Sequence, residues 1–437
     1  MPTPVQGLLG LFWQNQALRW MQRRYGDVIT VRIPVIGTGV VVADPDLAKH
    51  VFQAPPHVLH AGSQSPLGAV LGRHSLLAID EDRHLSQRRL LLPPFHGRRM
   101  QGYEAIIEQE AQREIATWPE HEELAVLPAT MRITLNAILR AVFGAQGAEL
   151  DALRRILPRQ VELGSRLATL PQLQRDLGPR SPWGRFLALR AAFDRVVDEL
   201  LAQARRDPRL DERSDVLALL VQARHEDGSP MTRDEVADQL LTLLAAGHET
   251  TATTLAWAVE RLTRHPEVLR RLEDEVEAGG KALREATIRE VQRVRPVIGG
   301  TGRFTREPFA LGEWVIPAGV MLMTSAVLLH EDPRNYPDPL RFDPDRFVGR
   351  APETYRWIPF GGGIRRCIGA AFAQMELDVV LRTVLRHLEL QPTTARPERW
   401  RFRGVAFAPH RGGRVVVRRR TVPLGPAEDR RPALVAA

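Results

Sequence analysis

The sequence has little cysteine, lysine or uninterrupted apolar chain, and each shortage excludes something. Cys367 is the only cysteine among 437 residues, so an internal disulfide and any zinc or iron-sulfur centre built on several thiolates are excluded. Lys49 and Lys281 are the only lysines among 60 basic residues, a bias toward arginine that points to no binding device. Asp and Glu number 52 and the net charge is +8, spread over the chain, so no nucleic-acid partner is expected. The longest apolar candidates, Gly7 to Trp13 and Val320 to Leu329, fall well short of the ~18 residues of a bilayer crossing. The N-terminus lacks the basic, apolar and cleavage-site order of a secretory signal. These shortages predict a cytoplasmic protein with no membrane anchor.

What is present is ordinary globular composition, 44% hydrophobic and 26% charged, which fits a folded chain rather than a disordered one. A helix is expected from Gln14 to Arg24. The β-branched runs Val28 to Ile33 and Val40 to Val42 then read as a hairpin. From Asp80 to about Val291, apolar residues recur at spacings of three and four, so the middle of the chain is helical. Its longest helix opens on Thr232-Arg233-Asp234-Glu235, a capping-box pattern, and runs to about Arg264 with Gly247 as its one interruption. Beyond Arg293 the chain becomes loop-rich and strand-like. No linker or repeat divides it. One domain over residues 1–437 is expected, ordered from about 13 to 420, with 421–437 a loose tail.

The surroundings of Cys367 argue for function. It sits in Pro359-Phe360-Gly361-Gly362-Gly363-Ile364-Arg365-Arg366-Cys367-Ile368-Gly369, where three glycines in a row let backbone turn tightly and approach a flat ligand. A helix pattern follows from about Ala370 to Leu388. Cys367 thus lies at a helix N-terminus, where free N–H groups and the helix dipole stabilise an anion. Ionisation of the thiol is expected there, and a thiolate so held is an axial ligand for haem iron. Arg365 is placed to pair with a carboxylate on such a ligand.

Other segments break local rules. Ala246-Gly247-His248-Glu249-Thr250-Thr251 puts a glycine, an acid and β-branched residues inside the long helix, against helix propensity. Such conflicts concentrate at functional sites, and Gly247 could loosen the helix there to open a groove. Read alone, the same residues also fit threonines bonded back to their own helix and a glutamate in a surface pair. Glu290 and Arg293 are three apart on one helix face and can pair, although the spacing recurs at four other places. His84 and Arg88, four apart, share a helix face.

The pattern F-x-x-G-x-R-x-C-x-G, filled by Phe360, Gly363, Arg365, Cys367 and Gly369, resembles the haem-ligand loop of the cytochrome P-450 family. The resemblance covers the chain from roughly Trp13 to Arg420 and implies that family's mainly α fold with a small β-rich lobe. It implies haem b (iron protoporphyrin IX) with an axial thiolate from Cys367. It casts Ala246 to Thr251 as the oxygen-activating helix segment, with Thr250 donating a hydrogen bond to dioxygen and Glu249 relaying protons. It makes Glu290-x-x-Arg293 the family's E-x-x-R pair, completed by Arg346 of Phe342-Asp343-Pro344-Asp345-Arg346-Phe347 into a scaffold for the cysteine loop. It assigns His84, Arg88, Arg303 and Arg365 to the haem's two propionates.

By position around these motifs, substrate would meet Thr242, Ala245 and Ala246, the stretch Val297 and Ile298 to Thr301, and the segment Gly62 to Leu77. These side chains are mostly apolar or small, which suits a lipophilic molecule. The implied reaction is a soluble bacterial-type monooxygenation: one atom of O2 enters the substrate and the other leaves as water. No flavin or iron-sulfur module follows Cys367, so electrons would come from a separate ferredoxin or flavodoxin-type donor with its reductase. Arg89, Arg98, Arg99 and Arg366 are the expected docking face. Peroxide-driven hydroxylation, peroxide-free rearrangement and a haem-based sensor or carrier stay open, with Glu249 and Thr250 speaking against the first two.

Overall fold

The long helix forms because its start is locked and its length is apolar. In this computed structural model, which describes residues 14–33, 37–95, 97, 99–144 and 147–426, it spans Arg233–Leu262. The Glu235 N–H donates to the Thr232 hydroxyl at 3.2 Å, and the Thr232 N–H donates back to the Glu235 carboxylate at 2.8 Å. Thirty residues at ~1.5 Å each make a rod of about 45 Å, buried on nearly every side. Two helices flank it closely, Val126–Phe143 and the cysteine helix Ala370–His387.

Packing against Val126–Phe143 is fixed by hydroxyls as well as by apolar contact. Thr130 donates to the Ala252 carbonyl and Thr134 to the His248 carbonyl, each at 3.0 Å. Gly247 lies in the same seam: a Cβ there would stand 3.3 Å from Ile138. The helix runs unbroken through Gly247. The glycine therefore serves close helix packing, and the expected loosening of the helix does not occur. Val126–Phe143 is long and apolar enough to cross a membrane, but 72% of it is buried inside the protein, as its place against the central helix requires.

The β-rich lobe is a five-stranded sheet in the order Val28–Ile33, Gly37–Val42, Met321–Ser325, Gly300–Thr305, Leu59–His60. Gly37–Val42 and Met321–Ser325 run parallel and the remaining pairs antiparallel. Arg303 is thereby carried on a strand whose other end, Gly300, follows the E-x-x-R helix Ala282–Val294. A three-stranded sheet joins Glu123–Ala125, Arg414–Arg419 and Leu388–Leu390. Residues 421–426 are not loose, since the Leu424 N–H donates to the Arg386 carbonyl at 2.9 Å and the Gly425 N–H to Glu277 at 3.1 Å. The run Gly7 to Trp13, Arg98 and residues 427–437 lie outside the described residues.

Glu290, Arg293 and Arg346 meet in the interior. Arg293 donates to both Glu290 oxygens, at 2.7 and 2.8 Å, and to the carbonyls of His330, Pro339 and Arg341. Arg346 Nε stands 3.7 Å from Glu290. Both members of the Glu290–Arg293 pair are fully buried, and breaking such a pair costs about 3–5 kcal/mol because one charge is left alone. His330 extends the network toward the cysteine loop. Its Nδ1 meets the Arg293 carbonyl at 3.2 Å, and its Nε2 accepts the Ile358 N–H at 2.9 Å. Those partners require the neutral ring with its proton on Nδ1.

Burial and the Arg293 charge push His330 down to about 3, whereas a histidine in unfolded chain titrates near ~6.5. The unfolded state therefore binds the proton that the folded state refuses. The stabilisation from neutral His330 is complete above about pH 6.5 and is lost as pH falls toward about 3. Urea unfolding midpoints should drop between about pH 7 and about pH 5, and His330→Asn should flatten that drop.

Candidate active site: the cysteine loop and the oxygen-helix face

Glycine chemistry sets the cysteine loop. Gly361 and Gly363 have φ of 65° and 62°, a region that L side chains rarely adopt. The loop also lies against Phe52: a Cβ on Gly363 would collide with the Phe52 carbonyl oxygen, and one on Gly362 would sit 2.8 Å from its ring. The chain then makes a 3-10 turn, Gly363–Arg365, and the Cys367 N–H donates back to the Phe360 carbonyl at 2.9 Å. Phe360 stands edge-on to Trp357, whose indole N–H donates to the Arg289 carbonyl of the E-x-x-R helix at 3.2 Å. Gly369 caps the cysteine helix with an ordinary φ of −89°, and a Cβ there would touch no protein atom. Neither backbone strain nor packing against protein accounts for a glycine at that position.

Cys367 is exposed to the cavity beside it, though dense protein surrounds its other sides. Burial pushes its thiol up, against the Gly369 N–H and the charges of Arg88 and Arg366, which pull it down. The helix N-terminus thus does not offset burial by itself, where the sequence reading expected it to; a metal bound at the sulfur would displace the proton.

On one side of this loop the charges are unbalanced. Burial and then the charges of Arg365, Arg88 and Arg303 drive His84 down to about 3, with Asp80 alone opposing. The His84 ring is buried and its Nδ1 has no hydrogen-bond partner. Burial and the Arg365 charge pull Arg303 down to about 10, and among the described residues it donates only to the carbonyl of its neighbour Gly302. The Arg88 guanidinium finds no hydrogen-bond partner among the described residues, and burial depresses it too. Three guanidiniums and an orphaned imidazole around one carboxylate leave room for anions. Haem propionates meet that demand, so the residues present fit the group.

Arg365 donates to Asp80, to the Ile79 carbonyl and, at 3.1 Å, to the Leu76 carbonyl, so it also fastens the cysteine loop to the 76–80 segment. Asp80, which no sequence motif singled out, is the carboxylate that takes it.

The middle of the central helix presents an open face. Ala246 is exposed in an otherwise buried stretch, with Ala245, Gly247 and Thr250 half-buried beside it. The Thr250 hydroxyl donates to the Ala246 carbonyl at 2.9 Å, the back-bonded geometry. Glu249 turns elsewhere, 3.4 Å from Arg403 Nε. Burial pushes its carboxyl up; Arg403 pulls it down and the more distant Glu162 adds to the rise. On the cysteine helix a second acid, Glu376, is fully buried and pushed well up by burial, with the Thr251 hydroxyl opposing.

Two of the residues expected to meet substrate do something else. Thr242 is buried, its hydroxyl within 2.7 Å of the Ser75 hydroxyl and 2.6 Å of the Asp238 carbonyl, so it holds the 72–77 segment in place. Val297 is buried in the main core and its carbonyl accepts the Phe407 N–H at 2.8 Å. Ala245, Ala246 and Ile298 stay at least partly accessible.

A groove of about 1350 Å³ opens on the surface beside the cysteine, lined by Arg88, Trp357, Phe360, Arg366, Cys367 and Gln374 among others. Of the expected docking arginines whose side chains are described, Arg366 lines it and Arg89 does not. Arg89 pairs with Glu226 at 2.5 Å and stands apart, Arg98 is outside the described residues, and nothing is described of the Arg99 side chain.

Comparison with known proteins bears on the family and the fold. The model of the family described as Cytochrome P-450 matches residues 2–412. The chain belongs to that family. A Mycobacterium tuberculosis protein named cytochrome P-450 138 is 53% identical over 420 residues, covering 96% of this chain and 95% of that protein. Another from the same species, named cytochrome P-450 135B1, is 43% identical over 422 residues, covering 95% and 89%. A solved structure, retinoic acid bound cyanobacterial CYP120A1, superposes with a TM-score of 0.81 at 21% identity over 92% of this chain and 94% of that one. The fold is therefore that of a cytochrome P-450, and the protein is a monooxygenase of the haem-thiolate class.

Proposed function

We propose that this cytochrome P-450 inserts one oxygen atom from O2 into a lipophilic small molecule, with Cys367 as axial ligand and electrons from a separate ferredoxin or flavodoxin-type carrier, in the cytoplasm. The overall change is R–H with O2, two electrons and two protons to R–OH and water. The observation that carries the reading is the joint presence of an accessible Cys367 and of unneutralised guanidiniums at Arg88 and Arg303 beside the neutral, unpartnered His84 ring. Haem, when bound, supplies reductive activation of O2 with the thiolate as its electron-donating ligand.

The chain's own part is to hold the cofactor, to shape the substrate face and to deliver protons. Arg88, Arg303 and His84 would take the propionates. Ala245 and Ala246, with no side chain beyond Cβ, leave space over the open helix face. Thr250 donates to the Ala246 carbonyl at 2.9 Å, and a χ1 rotation redirects that proton into the open space. Glu249, held up by burial, is more readily protonated near neutral pH than an exposed glutamate, as a proton relay requires. Arg403, itself half-buried, links it toward the surface. This acid-and-hydroxyl pair favours O2-dependent oxidation over peroxide-driven or isomerising chemistry, which has no need of proton delivery.

Three measurements test the proposal. The reduced protein with carbon monoxide should give the absorption band of a thiolate-ligated haem, and Cys367→Ser should lose it; a band that survives the substitution would sink the assignment. Glu249→Gln should cut product formation by about a hundredfold while donor oxidation falls less, so that product per electron drops. Arg366→Glu should weaken reduction by an acidic carrier and flatten its salt dependence; an unchanged salt slope would remove Arg366 from the docking face.

A further inference from the structure

Asp80 stands one residue before the His84 helix Glu81–Leu91, and its side chain is only 7% exposed. Three consecutive backbone N–H groups converge on it. Ala61 donates to Oδ1 at 2.8 Å, Gly62 to Oδ1 at 2.9 Å and Oδ2 at 3.1 Å, and Ser63 to Oδ2 at 2.7 Å. Successive N–H groups of this kind form a nest for an anion. Burial alone would raise the carboxyl; the nest and Arg365 prevail and hold it at about 2.

The contact closes one end of a loop on the other. A Cβ on Gly62 would collide with the Ile79 carbonyl, so the two strands of backbone touch. Glu81 sits at φ 54°, a strained conformation for a non-glycine residue, and its carboxylate is fixed by His60 Nε2 at 2.6 Å. Between the two ends, the loop leans on the central helix: His74 N–H donates to Asp238 at 3.0 Å and Leu76 N–H to Gln239 at 3.1 Å. His60 Nδ1 also stands 3.7 Å from Asp80 Oδ2, and a further partner comes from the cysteine loop. Arg365 donates to Asp80 and to the carbonyls of Ile79 and Leu76.

We propose that Asp80 is a positioning residue that shuts the base of the 61–80 loop and, through the same carboxylate, neutralises Arg365 beside the cysteine. The loop over the substrate face and the loop that holds the axial ligand thus share one anchor. Arg365 is the arm of this joint, beside Arg88, Arg303 and His84 around the proposed seat of the cofactor's carboxylates. The proposal rests on the haem-thiolate reading above. Its first consequence is electrostatic: removing the Asp80 charge leaves Arg365 uncompensated, which favours the reduced form of a nearby redox centre. Its second is mechanical. Asparagine has one acceptor oxygen, so its amide would face the Ser63 N–H donor and half of the nest would open.

Arg73 is the only basic residue between positions 61 and 80 and is exposed, so trypsin cleavage after it reports loop opening. Cofactor-loaded wild type, Asp80→Asn, Asp80→Glu and the double variant Asp80→Asn with Arg365→Gln are compared for that cleavage rate and for haem reduction potential. Asp80→Asn should be cut at least about tenfold faster and shift to more positive potential. Asp80→Glu should keep a potential near wild type. The double variant should return toward the wild-type potential while Arg73 stays open to cleavage, a split that a merely structural role would not produce. Wild-type cleavage and potential in Asp80→Asn would overturn the proposal. Should Asp80→Asn not retain cofactor, Arg365→Gln carries the test: a negative shift with faster cleavage supports the joint, and the absence of either overturns it. The carbonyl spectrum of each protein shows separately whether the haem-thiolate reading stands.

Discussion

A guanidinium without access to water, that of Arg293, is the fixed point of this molecule. Its donors are spent on Glu290 and on three carbonyls from the segment that follows the sheet. A charge buried this deeply is tolerated only while every partner stays in place. The network is consequently stiff, and its stiffness is passed on. His330 connects the Arg293 carbonyl to the Ile358 N–H, and two residues later Phe360 offers the carbonyl that receives the Cys367 N–H. The sulfur's position is thereby referred to the helical core rather than to a free loop.

Around this fixed point the charges divide into two kinds. Those that build the scaffold are paired within the protein: Glu290 with Arg293, Asp80 with Arg365, Asp238 with Arg190 at 2.5 Å. Those left without a counter-ion among the described residues, Arg88 and Arg303 with the neutral His84, crowd one side of the cysteine loop. An excess of buried cation is costly unless an anion arrives to share the site, and the proposed seat of the cofactor's carboxylates rests on that imbalance. Glu249 follows the same logic in reverse. It is an acid kept partly protonatable by burial and joined to the outside through Arg403.

The sequence revealed much of this where a feature is local. The capping box at Thr232 and Glu235, the glycine run before Cys367 and the i,i+3 pair at Glu290 and Arg293 are each written within a few residues, and each lies where its pattern predicts. Gly247 was misread because a glycine inside a helix carries the same signal whether it loosens the turn or admits a neighbour, and only Ile138 decides between them. Thr242 was misread for the same reason: its spacing from Ala245 and Ala246 fits a cavity face equally well as a contact to Ser75. Asp80 and His330 belong to no motif, since their partners are distant in the chain.

The order of motifs, the lone sulfur and the helical periodicity were settled by the sequence, because they depend on covalent neighbours and on propensities that act over a few residues. The direction in which Arg365 spends its donors, the upward push on the Cys367 and Glu249 acids, and which arginines stay unpaired among the described residues were decided by the tertiary structure. These depend on desolvation and on charges contributed by segments hundreds of residues apart, and both come into being only when the chain is packed.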